Sequence, residues 1–329
     1  MGKSPKILVA GSFVMDLIVS TERFPSSGET VIGCGFSTVP GGKGANQAIQ
    51  AARLGADATI IGKVGADDFG KLLIKSANES GVDTRFVKIA DNAPSAVGNV
   101  QLQVNSAGTE NRIIVVPGAN MTITESDVSV LKEMIRDFDM VMLQNEIPMQ
   151  INCLIAEYAK AAGIPVMLNP APSAKLPAEL ISCLTYISPN EHEAADITGI
   201  VPTVKEDIKK EVSALRDMGV ANILITYGKN GAVFGGNGKI IHSPSVDCGQ
   251  VVDPTAAGDS FIGAFCTAVA AGIPIENALQ FANCTAGITV TRMGAQSSLP
   301  KLEEVINIMK EKHFDTKPFY ILSEKSNIK

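Results

Sequence analysis

No run of basic residues marks this chain, and its 28 lysines and arginines are outnumbered by 34 aspartates and glutamates, leaving a net charge of −6. That balance gives no electrostatic footprint for nucleic acid and no basic block for a membrane surface. Small anionic ligands remain open, because local backbone dipoles bind them within acidic proteins. No apolar stretch is long and unbroken enough to span a bilayer. The opening "MGKSPKILVAGS" holds one brief apolar run that reads as a strand, so no signal peptide is expected. Lys6 also stands where N-myristoylation requires serine or threonine. Cys34, Cys153, Cys183, Cys248, Cys266 and Cys284 are scattered without metal-ligand spacing, which reads as free thiols in a reducing, cytoplasmic setting. His192, His242 and His313 form no ligand pattern and argue against a His-based triad. Two glycine signatures are missing as well. The phosphate-binding Gly-x-x-x-x-Gly-Lys-Ser/Thr is absent, and no Gly-x-Gly-x-x-Gly follows the first strand, which counts against a nicotinamide-dependent oxidoreductase.

What is present is a long, apolar-rich chain of 329 residues, 45% hydrophobic, enough for one large α/β domain or two smaller ones. Short buried strands are expected at "KILVAGS" (6–12), "ATIIGKVG" (58–65), "MVMLQ" (140–144), "PVMLNP" (165–170), "TYISPN" (185–190) and "NILITYG" (222–228). Helical spacing lies between them, over 45–54, where Gly55 supplies a stop, and around 148–162, 191–198 and 204–218. Alternating strands and helices predict a mostly parallel sheet covered on both faces. Residues 13–40 and 94–117 break the rhythm with β-branched residues, glycine and strand-like alternation, as in "VGNVQLQVN" and "NRIIVVPG". They predict a small β-rich insertion, usable as a lid over a cleft or as a dimer surface. "GGNGKIIH" (235–242) predicts a hairpin turning at Asn237-Gly238, and the polar tail after about Asp315 reads as loose.

Two stretches carry chemistry. In "PGGKGANQA" (40–48), glycines before a helix let the backbone pass close to a ligand, with Lys43 and Asn46 in reach. The same residues also suit a plain glycine turn with Lys43 in solvent. Asp16, directly after the first strand, is expected at the carboxyl end of a central strand, where ligands bind in open α/β sheets. In "DPTAAGDSFIGAF" (253–265), Pro254 stops a ladder and small residues lead into a helix apolar nearly all round. The first N–H groups of such a helix lack intrahelical partners and carry partial positive charge. Asp259 then has two readings, a cap on the helix end or a base taking a proton from a hydroxyl that attacks phosphorus.

Taken together, "GGKGANQA" and "DPTAAGDSFIGAF" resemble the paired signatures of the ribokinase-like carbohydrate kinases. The resemblance extends through "PSSGETV" (25–31), "VVPGAN" (115–120), "LNPAPS" (168–173), "SPNEHEA" (188–194), "ILITYGKNGA" (223–232) and "VTRMGAQSSLP" (290–300), most of the chain from about 6 to 313. It implies a ribokinase-like three-layer α/β/α fold over residues 1–315, a small β-sheet lid from about 13–40 and 94–117, a tail over 316–329, and a homodimer through the lid. It implies ATP-dependent phosphorylation of a pentose, D-ribose first, at the 5-hydroxyl. Asp259 would be the base, and the N–H groups of Ala256, Ala257, Gly258 and Asp259 an anion hole for the γ-phosphate. Asp16, Gly42, Lys43, Asn46 and Glu146 would hold the sugar hydroxyls. Asn190, Thr226, Gly228, Gly231, Gly258 and Asn283 would contact the nucleotide. Glu193, in the family's Asn-x-x-Glu element, would support Mg²⁺ through water, although an N-cap with an acidic first turn explains the same residues. Asp253, Thr255, Thr289, Arg292, Gly294 and Ser298 would hold an activating K⁺, several through backbone carbonyls.

Two positions depart from the family pattern. Pro254 replaces the usual threonine beside the cation residues, removing a hydroxyl and an N–H. Val14 stands where many bacterial members carry an asparagine that bonds the sugar's 2-hydroxyl. Valine cannot make that bond, so acceptance of 2-deoxyribose is expected. A kinase for a nucleoside, fructose or a keto-sugar acid, and a catalytically silent sugar- or nucleotide-binding protein, are the other readings the motifs leave.

Overall fold

The apolar runs become strands whose alternate side chains enter opposite layers. In β1 (Lys6–Ala10), Ile7 and Val9 join one buried cluster while Leu8 and Ala10 join another on the far face. Because both faces are covered, the run is continuously apolar rather than alternating. The computed structural model describes residues 4–105, 108–202 and 205–327, without the side chains of 105, 108–109, 205 and 324–327. The expected helix start at 204, part of the second β-rich stretch (106–107) and the last two tail residues lie outside the described residues.

Among the described residues the main sheet has nine strands, ordered β13 (Lys239–Ser243), β12 (Ala232–Gly236), β11 (Asn222–Thr226), β10 (Tyr186–Ile187), β9 (Val166–Asn169), β8 (Met140–Gln144), β1, β4 (Asp57–Gly65) and β5 (Asp83–Ala90). Pairing is parallel from β5 to β11 and antiparallel at β11–β12 and β12–β13. The β12–β13 turn places Asn237 at φ 50 and Gly238 at φ 73, the left-handed pair a two-residue hairpin needs. One face is covered by α1 (Lys43–Arg53), α2 (Asp68–Glu79), α9 (Ala257–Ala270), α10 (Ile275–Thr289) and α11 (Leu302–Glu311). The other carries α3 (Glu125–Val128), α4 (Leu131–Met134), α5 (Met149–Ala162), α6 (Ala178–Ile181), α7 (Glu191–Thr198) and α8 (Lys205–Asp217). This is a three-layer α/β/α fold with a mostly parallel central sheet. Among the described residues, no helix is long and apolar enough to cross a membrane.

A separate four-stranded sheet, ordered β3 (Gly35–Gly41), β2 (Val14–Thr21), β6 (Ala96–Asn105) and β7 (Gly108–Val116), is built from the two β-rich stretches. Residues 22–34 between β2 and β3 form no strand. This arrangement corrects the expectation for Asp16. It does not end a central strand; it is the third residue of β2, paired with Val39 and Gly98 in the small sheet.

The tail is also corrected. Residues Lys317–Asn327 wind into a 3₁₀ segment, and Phe319 and Leu322 are fully buried against the α1/α10 layer. Phe319 stacks on Phe281 of α10, with ring centroids 4.5 Å apart. Burying one such ring contributes about 2 kcal/mol, and Phe319 and Leu322 together anchor the segment that its polar residues made read as loose.

Candidate active site

The chain runs from β1 to β4 and β5 on one side and later from β8 to β11 on the other, so the β1/β8 gap is a topological switch point. Ligands bind outside the carboxyl ends of strands at such points. Ser12 lies just past β1 and Glu146 just past β8, and the Ser12 hydroxyl donates to Glu146 Oε2 across the gap. The same oxygen accepts the Lys43 N–H at 3.0 Å, so Glu146 caps α1. Ser12 completes that cap, its Oγ accepting from Gly44 and its carbonyl from Ala45. Gly42, at φ 94, makes the turn possible, since a Cβ there would stand 2.7 Å from the Val14 nitrogen. Glu146 is therefore neither a solvated strand end nor free on both oxygens; it has Oε1 left for a hydroxyl.

The first turn of α9 differs in the respect that matters for anions. Ala256 precedes the helix in the left-handed region at φ 60, a conformation that costs an L-residue about 1 kcal/mol. Such strain is found where function demands it, and successive N–H groups in this geometry form a concave anion-binding nest. The Ala257 N–H donates to the Pro254 carbonyl at 3.2 Å, whereas those of Gly258 and Asp259 have no acceptor among the described residues. Of the four expected anion-hole donors, Ala257 is thus engaged within the turn, and Pro254 helps to shape that turn. Gly258 has an ordinary helical backbone, and a Cβ on it would meet nothing within 4 Å. The packing of the described residues does not require glycine there.

Asp259 does not cap this helix. Its Oδ2 accepts from Asn46 Nδ2 at 2.9 Å and its Oδ1 from Gln47 Nε2 at 3.0 Å, both from α1. At 7% exposure the carboxylate sits at the floor of a cavity of about 220 Å³, lined also by Lys43, Asn169, Asn190, Glu193, Thr226 and Gly258. Burial alone would lower the Lys43 ammonium, but the Asp259, Glu146 and Glu193 carboxylates outweigh it and hold it above the ordinary lysine value. Lys43 thus brings a fixed positive charge to the cavity that holds the N–H row. It is not in open solvent; it lines this cavity.

Asn190 and Glu193 form a full capping box on α7: Asn190 Oδ1 accepts from His192 and Glu193, and Glu193 Oε2 accepts from Asn190. Burial raises the Glu193 carboxyl above its usual range, against the opposing pull of the Asn190 N–H and Lys43. The cap and the cavity position coexist, because only one carboxylate oxygen is engaged. Thr226 is drawn to the same place by its bridge to Asn190. Gly228 and Gly231 bracket the turn after β11, both at positive φ. The Asn283 amide donates to the Ser243 carbonyl and hydroxyl, tethering α10 to β13.

The six cation candidates lie in the loop before α9, at the end of α10 and in the loop after it; Asp253 ties the two loops together, Oδ2 accepting from Gly294 at 2.8 Å and Oδ1 from Thr255 at 2.9 Å. Burial would raise Asp253, yet the Thr255 hydroxyl and the two N–H groups hold it below its ordinary value. The Thr289 and Ser298 hydroxyls and the Arg292 guanidinium are turned to Thr285, Ala295 and Glu304. What remains is one carboxylate and backbone carbonyls, an all-oxygen set that fits a weakly held monovalent cation. No group of three or more histidine, cysteine, aspartate or glutamate side chains converges on a metal position among the described residues. Mg²⁺ is commonly bound by one or two carboxylates with water and substrate phosphates, which Glu193 and Asp259 can supply.

Asp16 faces a second cavity, of about 940 Å³, between the small sheet and the loops carrying Asp253, Thr255 and Gly294. Room for its carboxylate comes from glycine on both neighbouring strands: a Cβ on Gly98 would stand 2.2 Å from Oδ1 and one on Gly41 2.9 Å from Oδ2. Burial, with Glu146 adding to it, pushes Asp16 up to about 6. A raised carboxyl is an acceptor-only anion above that pH and a protonated acid below it. The KM for a sugar whose hydroxyls donate to Asp16 is therefore expected to rise about tenfold from pH 7 to pH 5, in proportion to the lost carboxylate. Asp16→Asn should flatten this dependence, and a KM constant over that range in the unmutated protein would refute the assignment.

The sequence reading missed Ser12, Gln47, Gln144 and Asn169. Gln47 joins Asp259 to Asn169 and Gln144, and Asn169 in turn donates to the Ser188 carbonyl. These residues come from just past β1 and from α1, β8 and β9, and meet only where the strand ends converge.

Residues 4–302 match the pfkB family carbohydrate kinases. The chain belongs to that family. It is 40% identical over 303 residues to ribokinase from Bacillus subtilis (strain 168), covering 92% of this chain and 99% of the relative. It is 32% identical over 299 residues to deoxyribokinase from Salmonella typhi, covering 91% and 96%. The solved structure of Arabidopsis thaliana ribokinase complexed with ribose and ATP superposes with a TM-score of 0.87 at 35% identity, over 94% of this chain and 99% of that one. In this pfkB kinase the only signal for Gln47 was its place beside Asn46 in "GGKGANQA", since nothing local pairs it with Asp259.

Proposed function

We propose that the protein transfers the γ-phosphoryl group of ATP to the 5-hydroxyl of D-ribose, giving ribose 5-phosphate and ADP. The observation that carries this reading is the buried Asp259 carboxylate set one residue from the Gly258 N–H, which has no acceptor among the described residues, in one cavity with Lys43. Asp259 takes the proton of the 5-hydroxyl as its oxygen bonds to the γ-phosphorus, and the bond from that phosphorus to the β–γ bridging oxygen breaks. Loose phosphoryl transfer asks for alignment and charge neutralisation more than for a strong base. The Gly258 and Asp259 N–H groups, with Lys43, meet the charge on the γ-oxygens. Asp16 and Glu146 accept sugar hydroxyls, and Asn46 has a buried Oδ1 without a partner for another. Glu193 supports Mg²⁺ through water, and Mg²⁺ when bound offsets phosphate charge. Asp253 and nearby carbonyls hold K⁺ beside the anion cavity.

The small sheet serves as a lid over the sugar. Its apolar exposure, with Phe36 at 69% and Ile114 at 64%, supports pairing with a second copy as a homodimer. The absence of a basic footprint supports a protein without nucleic-acid partners, and its free thiols support the cytoplasm.

A second reading, phosphorylation of 2-deoxyribose, is favoured by Val14. Val14 lies two residues before Asp16 on β2, and a Cβ on Gly98 would lie 3.7 Å from Val14 Cγ1 and 2.2 Å from Asp16 Oδ1, so an apolar side chain stands close to the carboxylate proposed to hold the sugar. An ADP-release assay over ribose, 2-deoxyribose, fructose and adenosine, with and without K⁺, tests both. Turnover of both pentoses within about tenfold in kcat/KM is expected, because apolar walls discriminate weakly against a hydroxyl. A preference for adenosine or fructose would overturn the pentose reading, and indifference to K⁺ would overturn the cation site.

A further inference from the structure

Gln47 is completely buried, one residue beyond Asn46 on α1. Its amide has two N–H bonds and both are in use, one to Asp259 Oδ1 at 3.0 Å and one to Asn169 Oδ1 at 3.2 Å. Its carbonyl oxygen accepts from Gln144 Nε2 at 2.7 Å. Gln144 is equally buried at the end of β8, where its backbone carbonyl accepts from Asn152 Nδ2 at 2.8 Å. Gly11 leaves the space for it, since a Cβ there would stand 2.2 Å from Gln144 Oε1. Gln47 has no donor left for sugar or phosphate and no surface to offer either. Asn46, which also bonds Asp259, keeps a free oxygen.

We propose that Gln47 is a positioning residue for Asp259, and that Gln144 secures Gln47 by donating to its oxygen. The acceptor-only carboxylate fixes the polarity of the network. Turning the Gln47 amide over would set its oxygen against the Asp259 carboxylate and, with Gln144 as it stands, its NH₂ against the NH₂ of Gln144. Held on Oδ1 by Gln47 and on Oδ2 by Asn46, the carboxylate cannot rotate about its Cβ–Cγ bond without losing both bonds. Its unshared lone pairs then keep one direction toward the incoming hydroxyl. Small misplacements of a reacting group are expensive, with about 1 Å able to cost roughly 10²-fold in rate.

The inference rests on Asp259 being the base. The test is steady-state and single-turnover kinetics with ribose and ATP for Gln47→Met and Gln144→Met, each alone and combined with Asp259→Ala, alongside thermal unfolding. Gln47→Met should lower kcat by roughly 10- to 100-fold, with both KM values within about twofold, as expected for lost alignment rather than lost binding. In the Asp259→Ala background it should cause no further loss, because its effect passes through that carboxylate. Gln144→Met, which keeps Gln47 in place, should show the same pattern at about three- to tenfold, and carries the test alone if Gln47→Met does not fold. A sugar KM that rises more than kcat falls, additive losses in the double variant, or undiminished kcat in both variants would overturn the proposal. Asp259→Ala separates the two levels: its full activity would remove the base itself, whereas its inactivity beside an unaffected Gln47→Met would remove only the positioning role.

Discussion

Asp259→Asn is expected to reduce kcat by roughly 10³- to 10⁴-fold, the upper part of the range for loss of a general base, while ATP binding remains measurable. The side chain keeps its shape, so the cavity and the N–H row of α9 stay in place. What changes is the acceptor set. Both carboxylate oxygens now receive amide donors, from Asn46 and Gln47. An asparagine has one oxygen to offer and would turn its NH₂ toward one of these NH₂ groups. It also cannot take the proton of a hydroxyl at neutral pH. Lys43 loses one of the three carboxylates that hold its charge, so some of the loss is electrostatic. Coupled ADP release gives the rate, titration calorimetry with ATP gives the binding, and thermal unfolding confirms the fold. Turnover within tenfold of the unmutated protein would refute the assignment.

Gly258→Ala should separate activity from stability. The residue sits in the first turn of α9 at ordinary helical φ, where alanine is favoured over glycine by up to about 1 kcal/mol. An added Cβ meets no protein atom within 4 Å. Thermal stability is therefore expected to hold or rise. Activity should fall by about 10²-fold or more, comparable to the loss of one preorganised donor, because the methyl group would occupy the approach to the Gly258 and Asp259 N–H groups. Gly42 is the useful contrast, a glycine that the backbone itself requires at φ 94. Near-normal turnover in Gly258→Ala would mean that phosphate does not come to this turn.

The strands of the main sheet were legible because burial on both faces writes itself as continuous apolar runs. "MVMLQ" is β8, and the helical spacing at 191–198 is α7. The β-rich stretches were equally plain, since alternation and glycine mark half-exposed strands, although they do not mark the central β2–β6 pair of the small sheet as parallel. The misreadings share a different cause. Asp16 was placed on the wrong sheet because the break between Ala10 and Val14 is short and β2 pairs with strands some 20 and 80 positions away. The tail was read as loose from its polarity, although Phe319 and Leu322 anchor it.

The sequence alone determined the layered α/β architecture, the two glycine-bearing motifs and the presence of an acid at the start of an apolar helix, all of which rest on local pattern and backbone preference. Only the tertiary structure decided that this acid does not cap its helix. Which donors reach an aspartate in a first helical turn depends on the fold, and here they come from α1, more than 200 positions earlier in the chain. The same holds for Glu146 capping α1, for Asn283 turning to Ser243, and for the Gln144–Gln47–Asp259 line. Hydrogen bonding is short-ranged in space and blind to separation along the chain, so the partners of a buried polar group exist only once the strand ends have met.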